Sequence, residues 1–151
     1  MRAALVIGLL CSGCHAAFID ERPGGAAGAS ELTGVDLGDG SVVATGKFGG
    51  RAGHIGIGDV SLLAYAGGIT EIRFEPDFGC TDVPGPVVVL TQRDALGTQL
   101  DAIAGDIEVA PLRSPSGGQS YFVRADPAVQ RDVFVFCKPY GVEVAKAPLT
   151  R

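Results

Sequence analysis

The chain has 151 residues, a formal net charge of −5, 46% apolar and 19% charged residues. That is the length of one ordinary domain, and its apolar share excludes a disordered polyelectrolyte. The acidity lacks the footprint of a nucleic-acid binder, so no nucleic-acid partner is expected, and it opposes adhesion to an anionic membrane.

In chain order, residues 1–13 read as a lipoprotein signal peptide. Arg2 is followed by the apolar run Ala3–Leu10, too short to span a bilayer, which takes about 20 apolar residues. The run ends in Leu10-Cys11-Ser12-Gly13-Cys14, which resembles a bacterial lipobox with Cys11 standing where Leu is usual. The resemblance implies that Cys14 becomes the first mature residue and carries the lipid, palmitate among its acyl chains. The same stretch, Cys11, Cys14 and His15, satisfies C-x-x-C-H, the spacing of c-type haem attachment. In that alternative the chain is a small c-type cytochrome, with His15 on the iron and His54 as the second axial ligand. Its position against the apolar run, and the loss of Cys11 on cleavage, favour lipid attachment.

Residues 14–40 form the lipidated cysteine and a tether. Pro23-Gly24-Gly25-Ala26-Ala27-Gly28-Ala29-Ser30 has no periodicity and no bulk to bury against the entropy of ordering. Residues 41–151 are the folded domain. Period-2 patterning marks strands around Val60–Ala64, Ile69–Glu75, Ile107–Pro111, Gln119–Val123, Asp132–Cys137 and from Val142. Val87-Val88-Val89-Leu90 reads as a strand buried on both faces. Glu71, Arg73 and Glu75 mark a wet face of their strand. Asp94–Ile103 has room for a helical turn or two. Turn signals such as Gly67-Gly68, Pro84-Gly85 and Pro139-Tyr140-Gly141 separate the strands. The 23 glycines and 9 prolines favour this many-turn architecture over helices. The expectation is an all-β fold, an antiparallel β-sandwich of seven to eight short strands.

Several landmarks resemble the DM-thirteen domain, a family proposed to act in electron transfer and found in bacterial lipoproteins and Skeletor-like extracellular proteins. They are Gly46-Lys47-Phe48-Gly49 with a following His54, Gly58-Asp59-Val60, and Ile72-Arg73-Phe74-Glu75-Pro76-Asp77-Phe78. They continue through Gly85-Pro86, Gly117-Gly118-Gln119-Ser120-Tyr121, Val133–Val142 and Ala147-Pro148-Leu149. Phe136 stands where the family has Trp before its cysteine, and that cysteine falls on Cys137. The resemblance implies a redox-active thiol or a haem ligand at Cys137, with His54 as a second ligand and Tyr121 or Tyr140 packing nearby.

The residues themselves leave Cys137 open between three states. It is an inert core thiol, a redox thiol or ligand, or one half of a disulfide with Cys80, allowed by an oxidising compartment. Such a bridge would be worth on the order of 4 kcal/mol in the chain-entropy model. With His54 and His15 the chain's two histidines, zinc ligation with three or four N/S donors has no support, and no metal is expected. Asp77 and Asp82 read as solvated loop acids. No G-x-S-x-G or phosphate-loop motif is present, so no catalytic residue is assigned and the chain does not read as an enzyme. The expected partners are a membrane, through the lipid, and a protein or redox partner. The expected location is the cell envelope, on an outer membrane facing the periplasm or the cell surface. The function is either a DM-thirteen-like redox module or a non-catalytic binding or structural lipoprotein held by Cys80–Cys137.

Overall fold

The computed structural model describes residues 37–151. The segments expected to be signal peptide and tether, with Cys11, Cys14 and His15, lie outside the described residues. Within them the chain forms β1 (Ser41–Lys47), β2 (Gly49–Gly50), β3 (Gly56–Ile57), β4 (Asp59–Tyr65), β5 (Ile69–Phe74) and β6 (Gly79–Cys80). There follow β7 (Pro86–Thr91), β8 (Ile107–Pro111), β9 (Gln119–Arg124), β10 (Asp132–Cys137) and β11 (Val142–Thr150). The all-β antiparallel reading holds, and the eight strands other than β2, β3 and β6 carry the architecture.

Those eight make one antiparallel sheet in the order β8-β7-β10-β11-β1-β4-β5-β9, with β2 continuing β1 along β11. The sheet curls until its edge strands β8 and β9 approach, giving a nearly closed, barrel-like sandwich. The N–H of Arg113, just past β8, donates to the Tyr121 hydroxyl of β9 at 3.0 Å and ties the two edges. A single helical turn at Ala66–Gly68 joins β4 to β5, with Gly67 at φ 76° where side chains rarely fit.

Alternation decides what goes inside. Val133, Val135 and Cys137 of β10 enter the main core with Val60, Leu62, Ile72, Phe74, Val88, Leu90 and Tyr121. Each such large side chain contributes roughly 1.5–3 kcal/mol through burial. Phe134 and Phe136 point the other way, yet are also buried, in a second cluster with Val87 and Val89. Leu96 and Leu100 cover that cluster from outside. The expectation that Val87–Leu90 is buried on both faces is met.

The segment Asp94–Ile103, which had room for helical turns, forms no helix and is the covering strap. Its backbone is held by tertiary bonds instead. Leu96 N–H donates to Glu143 Oε1 at 2.6 Å, Asp101 N–H donates to Asp106 Oδ2 at 2.8 Å, and Lys146 Nζ donates to the Asp94 carbonyl. Asp106 also accepts from Thr91 Oγ1 at 2.7 Å and from the Arg93 guanidinium, which pins both ends of the strap.

The wet face expected for β5 is covered at its centre. Glu71 is 3% exposed and accepts from Tyr65 Oη, Ser120 Oγ and the Arg73 guanidinium at 2.6–3.0 Å. Tyr65 and Ser120 come from β4 and β9 by cross-strand register, so the local alternation of β5 could not reveal them.

The register defines two ends. At one lie the start of β1, the β4–β5 turn, the β9–β10 loop and the two ends of the strap, because Ser41 faces Ala64, Ile69 faces Arg124 and Asp132 faces Thr91, while the middle of the strap reaches the other end, where Thr98 lies against Gly141. At the other lie Pro86, Cys137 and Val142, with the small β3–β6 pair as a cap.

Candidate functional site

Cys137, Cys80 and His54, singled out in the sequence, all lie towards the capped end. Cys137 closes β10, opposite Pro86 of β7 and Val142 of β11. It is 3% exposed and its Sγ–H donates to the Pro84 carbonyl at 3.2 Å. Cys80 lies four residues before Pro84, in β6, and its strand partner is Gly56 of β3. It is half-buried against the same core cluster that holds Cys137. Both are free thiols in the structure.

The electrostatics of Cys80 oppose thiolate formation. Burial pushes its thiol up to about 11, and the Asp82 carboxylate adds to the shift. A reactive thiolate needs a cation or a helix N-terminus beside it. Lys138 follows Cys137 but turns outward, bonding both Glu108 carboxylate oxygens at 2.8–2.9 Å. That is the separation of faces expected for neighbouring strand residues.

His54 is half-buried in the Arg51–Ile55 turn, where its N–H donates to the Arg51 carbonyl at 2.8 Å. The turn docks on the Cys80 segment through Ile55 N–H to Thr81 Oγ1 at 2.8 Å and Thr81 N–H to the Ile55 carbonyl at 3.0 Å. His54 thus stands two residues before the strand partner of Cys80, while Cys137 is reached through Pro84. Tyr121 packs in the core cluster. Its hydroxyl donates to Gln119 Oε1 at 2.5 Å, and the Arg113 guanidinium sits 4.9 Å from its ring centre. Burial pushes the Tyr121 phenol up, and charge on Cys80 would push it the same way, which marks the two as neighbours. Tyr140, the other aromatic expected beside Cys137, is 72% exposed in the β10–β11 turn.

An aromatic plug fills the space inside this end. Phe48, Phe74 and Phe78 stack within 4.5–5.1 Å of one another, and Tyr121 joins at 5.5 Å from Phe74. Such packing does not fit a haem at Cys137, because the sulfur is already engaged and side chains cover it on the core side. The open groove between β1 and β4, about 670 Å³, is lined by Lys47, Asp59, Ser61 and Glu75 and includes neither thiol nor His54. Among the described residues no three His, Cys, Asp or Glu side chains converge as a metal-ligand group. The loop acid Asp77 is engaged, accepting Asp59 N–H at 3.0 Å. Periodicity places Cys137 on the core face, but Cys80 arrives there only through β3–β6 pairing and its N–H bond to the Pro115 carbonyl at 2.8 Å.

No protein-family model matches the chain, no curated protein matches it, and no solved structure matches it.

Proposed function

We propose that the chain is an exported, lipid-anchored domain of the cell envelope that binds or braces and does no chemistry of its own. One observation carries the non-catalytic part: both thiols are held as core side chains. Cys137 is sealed with its proton on the Pro84 carbonyl, and Cys80 is pushed up to about 11 with Asp82, an anion, beside it. The anchor rests on the Arg2, Ala3–Leu10 and Cys14 pattern, and the reading puts the domain in the cell envelope, at an outer membrane facing the periplasm or the cell surface. The residues that carry the DM-thirteen resemblance, among them Phe48, Phe74, Phe78, Tyr121, Val133, Val135 and Cys137, pack one core. The resemblance therefore bears on fold and brings no chemistry of its own. A second reading, an accessory thiol redox module, is favoured by the convergence of two free thiols at one end.

Intact mass of the chain made through its own export pathway separates these readings. The expected result is a diacylglyceryl adduct starting at Cys14, with Cys80 and Cys137 alkylated without reductant only after unfolding. A covalent haem on Cys11 and Cys14 would overturn the anchor. A mass two hydrogens light, with neither thiol alkylated, would mean a Cys80–Cys137 bridge. Rapid alkylation of the folded chain at either thiol would favour the redox module.

A further inference from the structure

The strap is held unlike the rest of the fold. β7 and β8 are antiparallel neighbours, and such a pair is ordinarily joined by about two to five residues. Here the crossing takes residues 92–106. It leaves Thr91, runs along the outside of the sheet until Thr98 lies against Gly141, and returns to Ile107. A connection of that length without a helix or strand of its own is uncommon in a compact domain, and active-site lids and binding loops are its usual uses.

Beneath it lies an apolar face. Val87 and Val89 of β7 and Phe134 and Phe136 of β10 point away from the main core and are nearly fully buried. Within residues 94–100, Leu96 and Leu100 pack on that face and the others are exposed. Among the described residues, no main-chain to main-chain hydrogen bond starts or ends in residues 94–100. Their polar ties are to two side chains of β11. Glu143 Oε1 accepts the Leu96 N–H at 2.6 Å, and Lys146 Nζ donates to the Asp94 carbonyl.

Both ties release without stranding a charge. Glu143 is also paired with Arg51 at 2.9 Å, and Lys146 with Asp132 at 3.3 Å. Each keeps that partner when the segment lifts, so the large penalty of an unpaired buried ion does not arise. The two feet stay in place. Arg93 is bonded to Asp106, which also takes the Thr91 hydroxyl. Residues 101–106 close on themselves, with the Asp101 carbonyl accepting the Ala104 and Asp106 N–H groups and Asp106 Oδ2 accepting the Asp101 N–H.

We propose that residues 94–100 are a lid, hinged at Arg93 and Asp101, that lifts as one unit while the sheet stays closed. Shut, it hides Val87, Val89, Phe134 and Phe136; open, it presents them. Local opening of this kind belongs to segments with few buried contacts and solvent-served backbone, and residues 94–100 have two leucines and no main-chain partner. The lid depends neither on the lipid anchor nor on the state of the thiols.

Adjacent positions of β7 provide the test, because Val89 lies under the lid and Val88 lies in the main core. Val89→Cys and Val88→Cys are made separately in the full chain and alkylated with iodoacetamide in the folded state, with peptide mapping to separate them from Cys80 and Cys137. Labelling at 89 is expected to be about 100-fold faster than at 88 and flat in low urea, while labelling at 88 climbs steeply with urea. Leu100→Ala weakens the shut state and should speed labelling at 89 about tenfold. Equal rates at the two positions, or an equally steep urea dependence, would overturn the lid, since the face would then open only with the whole domain. A rate at 89 that Leu100→Ala leaves unchanged would also overturn it. Amide exchange reads the same split without a cysteine substitution. The Leu96 N–H should exchange with little urea dependence and the N–H groups of β10 only with global unfolding, and matching slopes would refute the proposal.

Discussion

Thiol reactivity in the folded chain is the sharpest consequence of the structure. Cys80 is pushed up to about 11 from an ordinary 9.0. Two pH units lower its thiolate fraction at a given pH about 100-fold. Alkylation by iodoacetamide proceeds through the thiolate, so Cys80 should react about 100-fold more slowly than a short cysteine peptide at the same pH. Its rate should climb about tenfold per pH unit until the pH nears 11. Cys137 is slowed differently. At 3% exposure it reacts only when the capped end opens. If that opening costs about 5 kcal/mol, the reactive fraction falls roughly 10³–10⁴-fold. Peptide mapping after timed alkylation, across a pH series, reads both sites. The reasoning is refuted if either cysteine reacts in the folded chain as fast as the peptide, or if the Cys80 profile levels off below 9.0.

Further predictions concern the polar groups and turns that hold the fold. Asp106→Ala leaves Thr91, Arg93 and the Asp101 N–H without their shared acceptor. The loss should be about 3 kcal/mol, discounted for the partial exposure of Arg93, or a Tm drop of about 12 °C by calorimetry for a domain of this size. Glu71 is raised by burial but lowered more by its bonds from Arg73, Ser120 and Tyr65, for a net depressed carboxyl. Its stabilisation is therefore complete above its unfolded value near ~4.3 and is lost as pH falls through the folded value, so Glu71→Gln should flatten the acid limb of a stability–pH curve. Gly58 sits at φ 94°, and a Cβ there would lie 2.5 Å from the Phe78 Cα. Gly58→Ala should cost about 2–4 kcal/mol in a urea melt and, by displacing Phe78, speed Cys80 alkylation in the folded chain.

How much of this could be read in the sequence follows from the range of each interaction. Alternation within a strand is local, so β4, β5 and β8 to β11 are legible from side-chain pattern alone, and β7 from its uninterrupted β-branched run bounded by turn signals. β1 is not, because Val42-Val43-Ala44 runs apolar without alternating and a register shift falls between Val42 and Ala44. The two-residue strands β2, β3 and β6 are too short to show a period. The strap Asp94–Ile103 failed as a helix because its carbonyls and amides bond to Glu143, Asp106 and Lys146, all distant or beyond the next turn. The buried state of Glu71 depends on Tyr65 and Ser120, supplied by neighbouring strands.

The same distinction bears on Cys137. Period 2 along β10 puts it on the core side with Val133 and Val135, and the structure agrees. What no local pattern shows is the Pro84 carbonyl placed against the end of that strand. Pro84 itself is exposed, so losing this donor costs less than the roughly 1–3 kcal/mol of a fully buried acceptor. Val or Ala at that position would fill space and leave the carbonyl to solvent. Ser would serve it but carry a more polar group into the core. A thiol does both, as a small apolar side chain with one weak donor. Packing alone therefore accounts for a cysteine at the end of β10, and its presence there is no argument for redox chemistry until it reacts in the folded chain.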